Sequence, residues 1–141
     1  MKHQASTSAK RTPGNAPLSG LPHAALDMPT LAQAALLYRL SGDQNPLHAD
    51  PGTARRAGFE RPILHGRCTF GIAAWGLVRL FCPDAPERLT AMRARFSRPV
   101  FPGETLRLEV WLDGAQLHFQ ALVPQRSVLV LSNGVARLAP A

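Results

Sequence analysis

The chain has 141 residues, of which 45% are hydrophobic, and this is enough for one domain with a real core but leaves little room for a second. Its net charge of +7 favours an anionic partner, but the basic residues form no run and no aromatic ladder accompanies them. Composition therefore argues against nucleic-acid binding, and the lack of a long uncharged apolar run argues against a membrane span.

The two cysteines, Cys68 and Cys82, lie in an apolar stretch and are too few for a disulfide framework. No CxxC pair is present, which argues against a structural zinc site. Free buried thiols are typical of a reducing compartment, so we predict a cytoplasmic protein. The first residues lack the apolar stretch of a secretory signal, although their lack of acidic residues leaves a transit peptide open.

Residues 1–29 are rich in Ser, Thr, Pro, Gly and Ala and show no stable period, which predicts a flexible N-terminal arm. The folded domain is then expected over residues 30–141. Thr30 and Gln33 have the spacing of a capping box that opens the first helix. Gly42 is placed to end that helix in a left-handed conformation.

Two further helices are predicted after this first one. Asp50 has the character of an N-cap, Pro51 that of a first helical residue, and Gly58 that of a stop signal. Residues 64–81 have few charges and many small residues, and they predict one long helix. Because that helix is apolar all round, we expect it to be mostly buried.

The rest of the chain alternates between apolar and polar residues, which indicates strands. They are predicted over Leu89–Phe96, 106–112, 117–123 and Val128–Leu138, with turns at Pro102-Gly103 and Asp113-Gly114. Helices followed by antiparallel strands indicate an α+β fold in which a sheet wraps one central helix. Such a sheet covers one side of the helix, and its open edge favours pairing with a second copy.

The loop after Gly42 carries three polar side chains, Asp43, Asn45 and His48. A carboxylate and an imidazole that lie near one another can share two proton transfers, one accepting a proton from water and the other delivering one to carbon. The amide of Asn45 can orient either partner. The pattern therefore points to an acid/base pair.

The same residues permit other interpretations. Asp43 and Asn45 can simply form turns, and His48 can be a structural loop histidine. A metal site built from Asp43, His48, Asp50 and His65 matches no recognised ligand spacing, so we predict no metal.

The segment Pro62-Ile-Leu-His-Gly66 opens the long helix. Free N–H groups at a helix start bind anions or oxyanions, and Gly66 would let a carbonyl approach its N–H closely. Alternatively, Gly66 only permits tight packing of the helix on the sheet. His65 is either a ligand-facing group or a structural one.

The run from Tyr38 to His48 (YRLSGDQNPLH), together with Pro62-Ile-Leu-His-Gly66, resembles the MaoC-like family. The resemblance is closest to the catalytic half of the (R)-specific type 2 enoyl-CoA hydratases, and residues 95–106 and 131–134 resemble later segments of the same half. It implies a single hot-dog fold, a curved antiparallel sheet around a long central helix. It also implies reversible hydration of trans-2-enoyl-CoA in fatty acid metabolism.

The resemblance also implies roles for individual residues. Asp43 and His48 would be the catalytic dyad that holds the water, Asn45 would position them, and the N–H of Gly66 would polarise the thioester carbonyl. The expected substrate-binding residues are Pro62, Ile63, Leu64, His65 and Arg95. No cofactor is implied, because the CoA thioester is the substrate. Arginines are candidates for the CoA phosphates by charge and position only: Arg55, Arg56, Arg61, Arg93, Arg95 and Arg98.

One departure from the resemblance affects the substrate and the assembly. The eukaryotic type 2 hydratases carry two hot-dog halves in one chain, whereas this chain has room for one. We therefore expect a homodimer, or a pair with a separate hot-dog chain, and the acyl-chain length stays open. Alternatives are a 3-hydroxyacyl dehydratase acting on acyl carrier protein, a non-catalytic acyl-CoA-binding partner subunit and a thioesterase.

Overall fold

Five antiparallel strands form one sheet in the computed structural model, which describes Leu18 and residues 20–141. The strands are β1 (Ala24–Pro29), β2 (Leu89–Phe96), β3 (Thr105–Asp113), β4 (Gln116–Val123) and β5 (Val128–Leu138). Their order in the sheet is β1-β3-β4-β5-β2, so β1 and β2 are the edges. The α-helices are α1 (Ala34–Tyr38), α2 (Pro51–Arg56) and α3 (Gly66–Phe81). None of the described helices is both long and apolar enough to cross a membrane.

The core lies between the sheet and α3, as the alternating pattern predicts. Leu106 and Leu108 of β3 and Leu77 of α3 are fully buried. Gly76 marks the closest approach of the helix to the sheet, since a Cβ there would lie 2.8 Å from both Leu108 Cδ2 and Met28 Sδ. The predicted α+β fold with one central helix is confirmed.

The predicted flexible arm is wrong over its last residues. Ala24–Pro29 form β1, which pairs with β3 from Ala24 opposite Val110 to Pro29 opposite Thr105. An ion pair of 2.7 Å between Asp27 and Arg107 lies across this pairing. The partner strand is about eighty positions away in the sequence, so no local pattern indicates it. The folded domain thus begins before residue 30, and residues 1–17 and 19 of the predicted arm lie outside the described residues.

The predicted capping box is also wrong. Helix α1 begins at Ala34, and Gln33 makes no side-chain cap. The Thr30 hydroxyl instead donates to the Glu104 carbonyl at 2.7 Å and accepts the Gly103 N–H at 3.0 Å. Thr30 therefore ties the end of β1 to the turn before β3.

Local signals further along the chain are confirmed. Asp50 Oδ2 accepts the Thr53 N–H at 2.8 Å and caps α2, and Gly58 follows that helix with φ 94°. Gly42 is left-handed with φ 115° and ends a 3₁₀ turn that continues α1. The β3–β4 hairpin is present, but Asp113 pairs with Gln116, so its two turn residues lie one position later than predicted.

Helix α3 is not mostly buried, contrary to the prediction. Its buried residues lie on one face only, and Trp75 on the other face is 53% exposed. The reason is geometric, because a single sheet covers a single side of a helix. The uncovered face and β1 border a groove of about 620 Å³.

Gly134 of β5 is the glycine with the least room for a side chain. It pairs with Phe119, and a Cβ there would lie 2.5 Å from the Phe119 carbonyl oxygen and 2.6 Å from its ring. We expect Gly134→Ala to lower the free energy of unfolding by roughly 1–3 kcal/mol, because the backbone ladder must shift. Urea denaturation measures the change. Gly71→Ala is the control, since a Cβ there meets nothing within 4 Å, and equal losses in both variants would contradict the prediction.

Glu104 anchors the start of β3 through hydrogen bonds to its carboxylate. Oε2 accepts the Phe101 N–H at 2.8 Å and Arg126 Nη2 at 2.8 Å, and Arg126 also donates to the Pro99 carbonyl. Burial raises the pKa of Glu104, but these hydrogen bonds and the charges of Arg126 and Arg61 outweigh it and hold the pKa below its ordinary 4.5.

A consequence for stability follows from this lowered pKa. Glu104→Gln is expected to lower the free energy of unfolding at pH 7 by about 1–3 kcal/mol, because the charge-assisted bonds are lost. Because the pKa of Glu104 is lower in the folded than in the unfolded protein, the carboxylate contributes its full stabilisation above the unfolded value of 4.5. This contribution is lost as the pH falls through the pKa of the folded state. The gap between wild type and variant, measured by urea denaturation at several pH values, should therefore narrow below pH 4.5. A gap that stays constant down to pH 3 would contradict the assignment.

Candidate active site

The structure brings Asp43 and His48 together. A carboxylate oxygen of Asp43 and one ring nitrogen each of His48 and His65 lie within 4.8 Å of one another. Asp43 is exposed, His48 is half-buried and His65 is 1% exposed. The polar loop and the start of α3, which are separate in the sequence, thus meet at one place.

The orientation of His48 is fixed by a hydrogen bond to the segment before α3. Its Nδ1 lies 2.8 Å from the Ile63 carbonyl oxygen. Because a carbonyl only accepts, Nδ1 carries the hydrogen, and Nε2 of the neutral ring keeps its lone pair. His48 therefore offers one nitrogen that can take a proton.

Asn45 shapes the loop from both sides. Its side-chain oxygen accepts the Leu47 N–H at 3.0 Å and caps the 3₁₀ turn Pro46–His48. Its own N–H donates to Asp43 Oδ1 at 3.3 Å. The turn interpretation and the acid/base interpretation are thus compatible, since the turns place Asp43 beside His48. Within the part of the chain that the structure describes, no hydrogen bond reaches Asp43 Oδ2.

His65 lies under the pair and faces the protein interior. Its Nε2 lies 3.0 Å from the backbone oxygen of Asp43, and its ring stacks on that of His48 with a centroid distance of 3.7 Å and an angle of 25°. Tyr38 packs on the same ring at 4.7 Å. This burial does not suit the predicted substrate contact by His65.

Gly66 is the first residue of α3, and its backbone N–H points out of the helix start. The N-cap residue His65 gives no side-chain cap, and the first N–H groups of a helix have no intrahelical partner. They also carry the partial positive charge of the helix dipole. A Cβ on Gly66 would lie 3.2 Å from the Phe96 ring, so the glycine keeps this approach open.

A groove of about 270 Å³ leads to Gly66. Ile63 and Leu64 line it, although Leu64 is 2% exposed and belongs mainly to the core. Pro62 lines a smaller cavity of about 180 Å³ together with His48. Arg95 lies exposed on the edge strand β2, and within residues 20–141 its side chain has no hydrogen-bond or ion-pair partner. Its substrate role stays a prediction.

The larger groove along the uncovered face of α3 was not predicted from the sequence. Its apolar lining includes Leu26, Met28, Tyr38, Cys68, Ile72 and Trp75. The spacing of Cys68, Ile72 and Trp75 is that of one helix face and is the signal that could have shown it. Since Tyr38 also packs on His65, the groove begins beside the dyad.

Burial raises the pKa of the Cys68 thiol, which makes it a poor nucleophile.

The geometry gives little support to a metal site at these residues. The carboxylate of Asp50 caps α2 and is not part of the cluster. The remaining three residues are close enough, but the nearly parallel rings of His48 and His65 do not direct their lone pairs to one point.

A curved antiparallel sheet around a central helix, with a carboxylate–imidazole pair beside the start of that helix, defines a hot-dog protein with a dyad site. The MaoC-like domain family matches residues 15–133. The chain therefore belongs to the MaoC-like family.

Several known proteins are similar to the chain. It is 48% identical over 106 residues to peroxisomal enoyl-CoA hydratase 2 of Arabidopsis thaliana, covering 75% of this chain and 34% of that protein. A MaoC-like dehydratase from Phytophthora capsici matches with a TM-score of 0.85 and 35% identity, covering 94% of this chain and 47% of that one. The (R)-hydratase of A. caviae involved in PHA biosynthesis matches with a TM-score of 0.64 and 29% identity, covering 88% of this chain and 100% of that one. The chain thus spans about a third of the plant enzyme and the whole of the bacterial one.

Proposed function

We propose that the chain is an (R)-specific enoyl-CoA hydratase, which adds water reversibly to trans-2-enoyl-CoA. The observation that carries the proposal is the placement of Asp43 and His48 within 4.8 Å of each other beside the free N–H at the start of α3. The similarity to a plant enoyl-CoA hydratase and a bacterial (R)-hydratase supports the same reaction.

The separation of the two side chains suits a bound water molecule. One water can bridge groups up to 4.8 Å apart through two hydrogen bonds of about 2.8 Å at a nearly tetrahedral angle. One member of the pair takes a proton from this water as its oxygen bonds to C3 of the substrate. The other member, protonated before the reaction, delivers its proton to C2 on the same face. A proton then passes from the first member to the second, which restores the pair, so that one water is added overall.

The start of α3 supplies the electrostatic part of the mechanism. As the water oxygen attacks C3, negative charge develops on the thioester oxygen. The Gly66 N–H and the positive end of the helix stabilise this charge in the transition state. The groove of about 270 Å³ beside Gly66 provides room for the thioester.

A hydration assay over a range of enoyl-CoA chain lengths tests the proposal. Loss of the enoyl thioester absorbance reports turnover, and chiral analysis of the product reports its hand. The reaction as proposed uses no metal or other cofactor, so the rate should be the same with and without EDTA. No turnover at any chain length would refute the activity, an (S) product would refute the stereochemistry, and release of free thiol would indicate a thioesterase.

A second candidate is a 3-hydroxyacyl dehydratase that acts on acyl carrier protein. The observation in its favour is the net charge of +7, which would attract an acidic carrier protein. Rates on matched CoA and carrier thioesters separate the two. A ratio of kcat/KM values that favours the carrier thioester, and that falls with added salt, would support the second candidate.

We further propose that the chain forms a homodimer. The uncovered face of α3 and the two sheet edges support a second hot-dog unit, and Trp75 in the middle of that face is 53% exposed. Sedimentation velocity on the purified chain tests this. A monomer that gains activity only with a second hot-dog chain would support a heteromeric pair, or a non-catalytic role for this subunit if the partner alone has the full activity.

The cytoplasmic compartment also stays a proposal. Both cysteines are free in the structure, which suits a reducing environment. The plant relative is named as peroxisomal. Fractionation of the source cells with a specific antibody separates these locations.

A further inference from the structure

We propose that His65 is a positioning residue, which holds the backbone of Asp43 and the ring of His48 in register for the shared water molecule. The inference rests on the proposed function, because it assigns His65 to the same site. His65 was expected to contact the substrate, and we instead assign it an action on Asp43 and His48.

His65 contacts both members of the dyad from the side that faces the protein interior. Its Nε2–H donates to the backbone oxygen of Asp43 at 3.0 Å, across 22 positions of the sequence. Its ring stacks on His48 at 3.7 Å. Since the residue is 1% exposed, it reaches neither solvent nor a substrate bound from the solvent side.

The hydrogen bonding of His65 is incomplete in a way that points to function. Its Nδ1 is buried and has no hydrogen-bond partner within the described chain. An imidazole that served only to fill the core would be replaced by an apolar ring without this cost, because buried polar atoms are normally paired. The hydrogen bond to Asp43 sets the tautomer of the neutral ring, because the carbonyl only accepts, so Nε2 carries the hydrogen and Nδ1 keeps its lone pair.

This tautomer is suited to the chemistry of its neighbour. During hydration His48 gains or loses a proton, and in one of these states its ring is an imidazolium. A neutral, electron-rich ring stacked on it attracts that charge in the manner of a cation–π contact. The same ring is held by the Asp43 backbone, so one side chain couples the two reacting groups.

Two substitutions separate the two contacts. His65→Gln keeps a donor for the Asp43 oxygen but removes the ring, whereas His65→Phe keeps the ring but removes the donor. We expect each to lower kcat for hydration by about 10- to 100-fold, because small displacements of reacting groups are costly. KM should change by less than about threefold, because substrate binding does not involve His65. His23→Gln is the matched control and should leave kcat unchanged, because the His23 ring is exposed and its Nδ1 accepts the Leu112 N–H at 2.8 Å.

A spectroscopic readout tests the arrangement without relying on activity. In ¹⁵N-histidine NMR spectra of the wild-type protein, we expect His65 as the Nε2–H tautomer and His48 as the Nδ1–H tautomer. Thermal unfolding of the variants shows whether they fold. If both variants fold and keep the wild-type kcat, or if His65 has its hydrogen on Nδ1, the inference is overturned.

The results of these experiments distinguish a failure of the positioning role of His65 from a failure of the proposed hydratase activity. A wild-type protein that hydrates no enoyl thioester would refute the function, whereas the tautomers would still report whether His65 holds the two groups. An active wild type with indifferent His65 variants would leave the function intact and overturn only the positioning role. A loss of stability with an unchanged kcat per folded molecule would show that His65 is merely structural.

Discussion

Replacing Asp43 by Asn should lower kcat for enoyl-CoA hydration by about 10²–10⁴-fold, because the amide can neither accept the proton of the water nor deliver one to carbon. The substitution keeps the shape of the side chain and the oxygen that accepts the Asn45 N–H at 3.3 Å. The loop should therefore stay folded, and the free energy of unfolding should change by less than about 0.5 kcal/mol, as for an ordinary surface substitution.

The measurement is kcat on crotonyl-CoA together with a urea denaturation curve for each protein. Asp84→Asn is the matched control, because Asp84 is also an exposed aspartate but follows α3 far from the loop in the sequence. The control should keep the wild-type rate. Full turnover in the Asp43→Asn variant would remove Asp43 from the chemistry and leave it only its turn-forming role.

The features that the sequence predicted well are those that a short stretch of chain determines. The Asp50 cap and the Gly58 stop of α2 are set by hydrogen bonds and backbone angles within a few residues. Strands β2 and β5 have the predicted bounds. The fold class followed from the order of these elements.

The features that the sequence did not predict depend on partners far along the chain. Strand β1 is too short to show a period, and it is held by pairing with β3. Thr30 has the pattern of a helix cap, yet its hydroxyl is used by the turn before β3. The prediction that α3 is buried failed because apolar composition does not say how many surfaces are present to cover it.

The candidate site also combines local features that the sequence predicts with long-range contacts that it does not predict. Its loop was predicted from Asp43, Asn45 and His48, whose spacing and turn chemistry are local. The contacts that join this loop to the start of α3 are the bonds from His48 to Ile63 and from His65 to Asp43, and both cross more than ten positions of the sequence. Only the folded chain shows that His65 is buried under the pair and contacts both of its members.

The contribution of the Gly66 N–H can be isolated by two substitutions at the same position. Gly66→Pro removes the N–H, and proline is well tolerated as the first residue of a helix. The preceding residue, His65, has φ −59° and ψ 134°, which is the extended conformation that a following proline requires. Gly66→Ala adds a Cβ in a similar place, 3.2 Å from the Phe96 ring, but keeps the N–H.

We expect kcat of the Pro variant to be about 10²–10³-fold below that of the Ala variant, the range found when one oxyanion donor is removed. The Ala variant itself should lose less, because the half-exposed Phe96 ring can move by a few tenths of an ångström. Both variants should unfold at similar urea concentrations, which separates the loss of a donor from a loss of structure. Equal rates in the two variants would mean that the N–H of Gly66 does not stabilise the transition state, and that glycine is required there only for the space that it leaves beside Phe96.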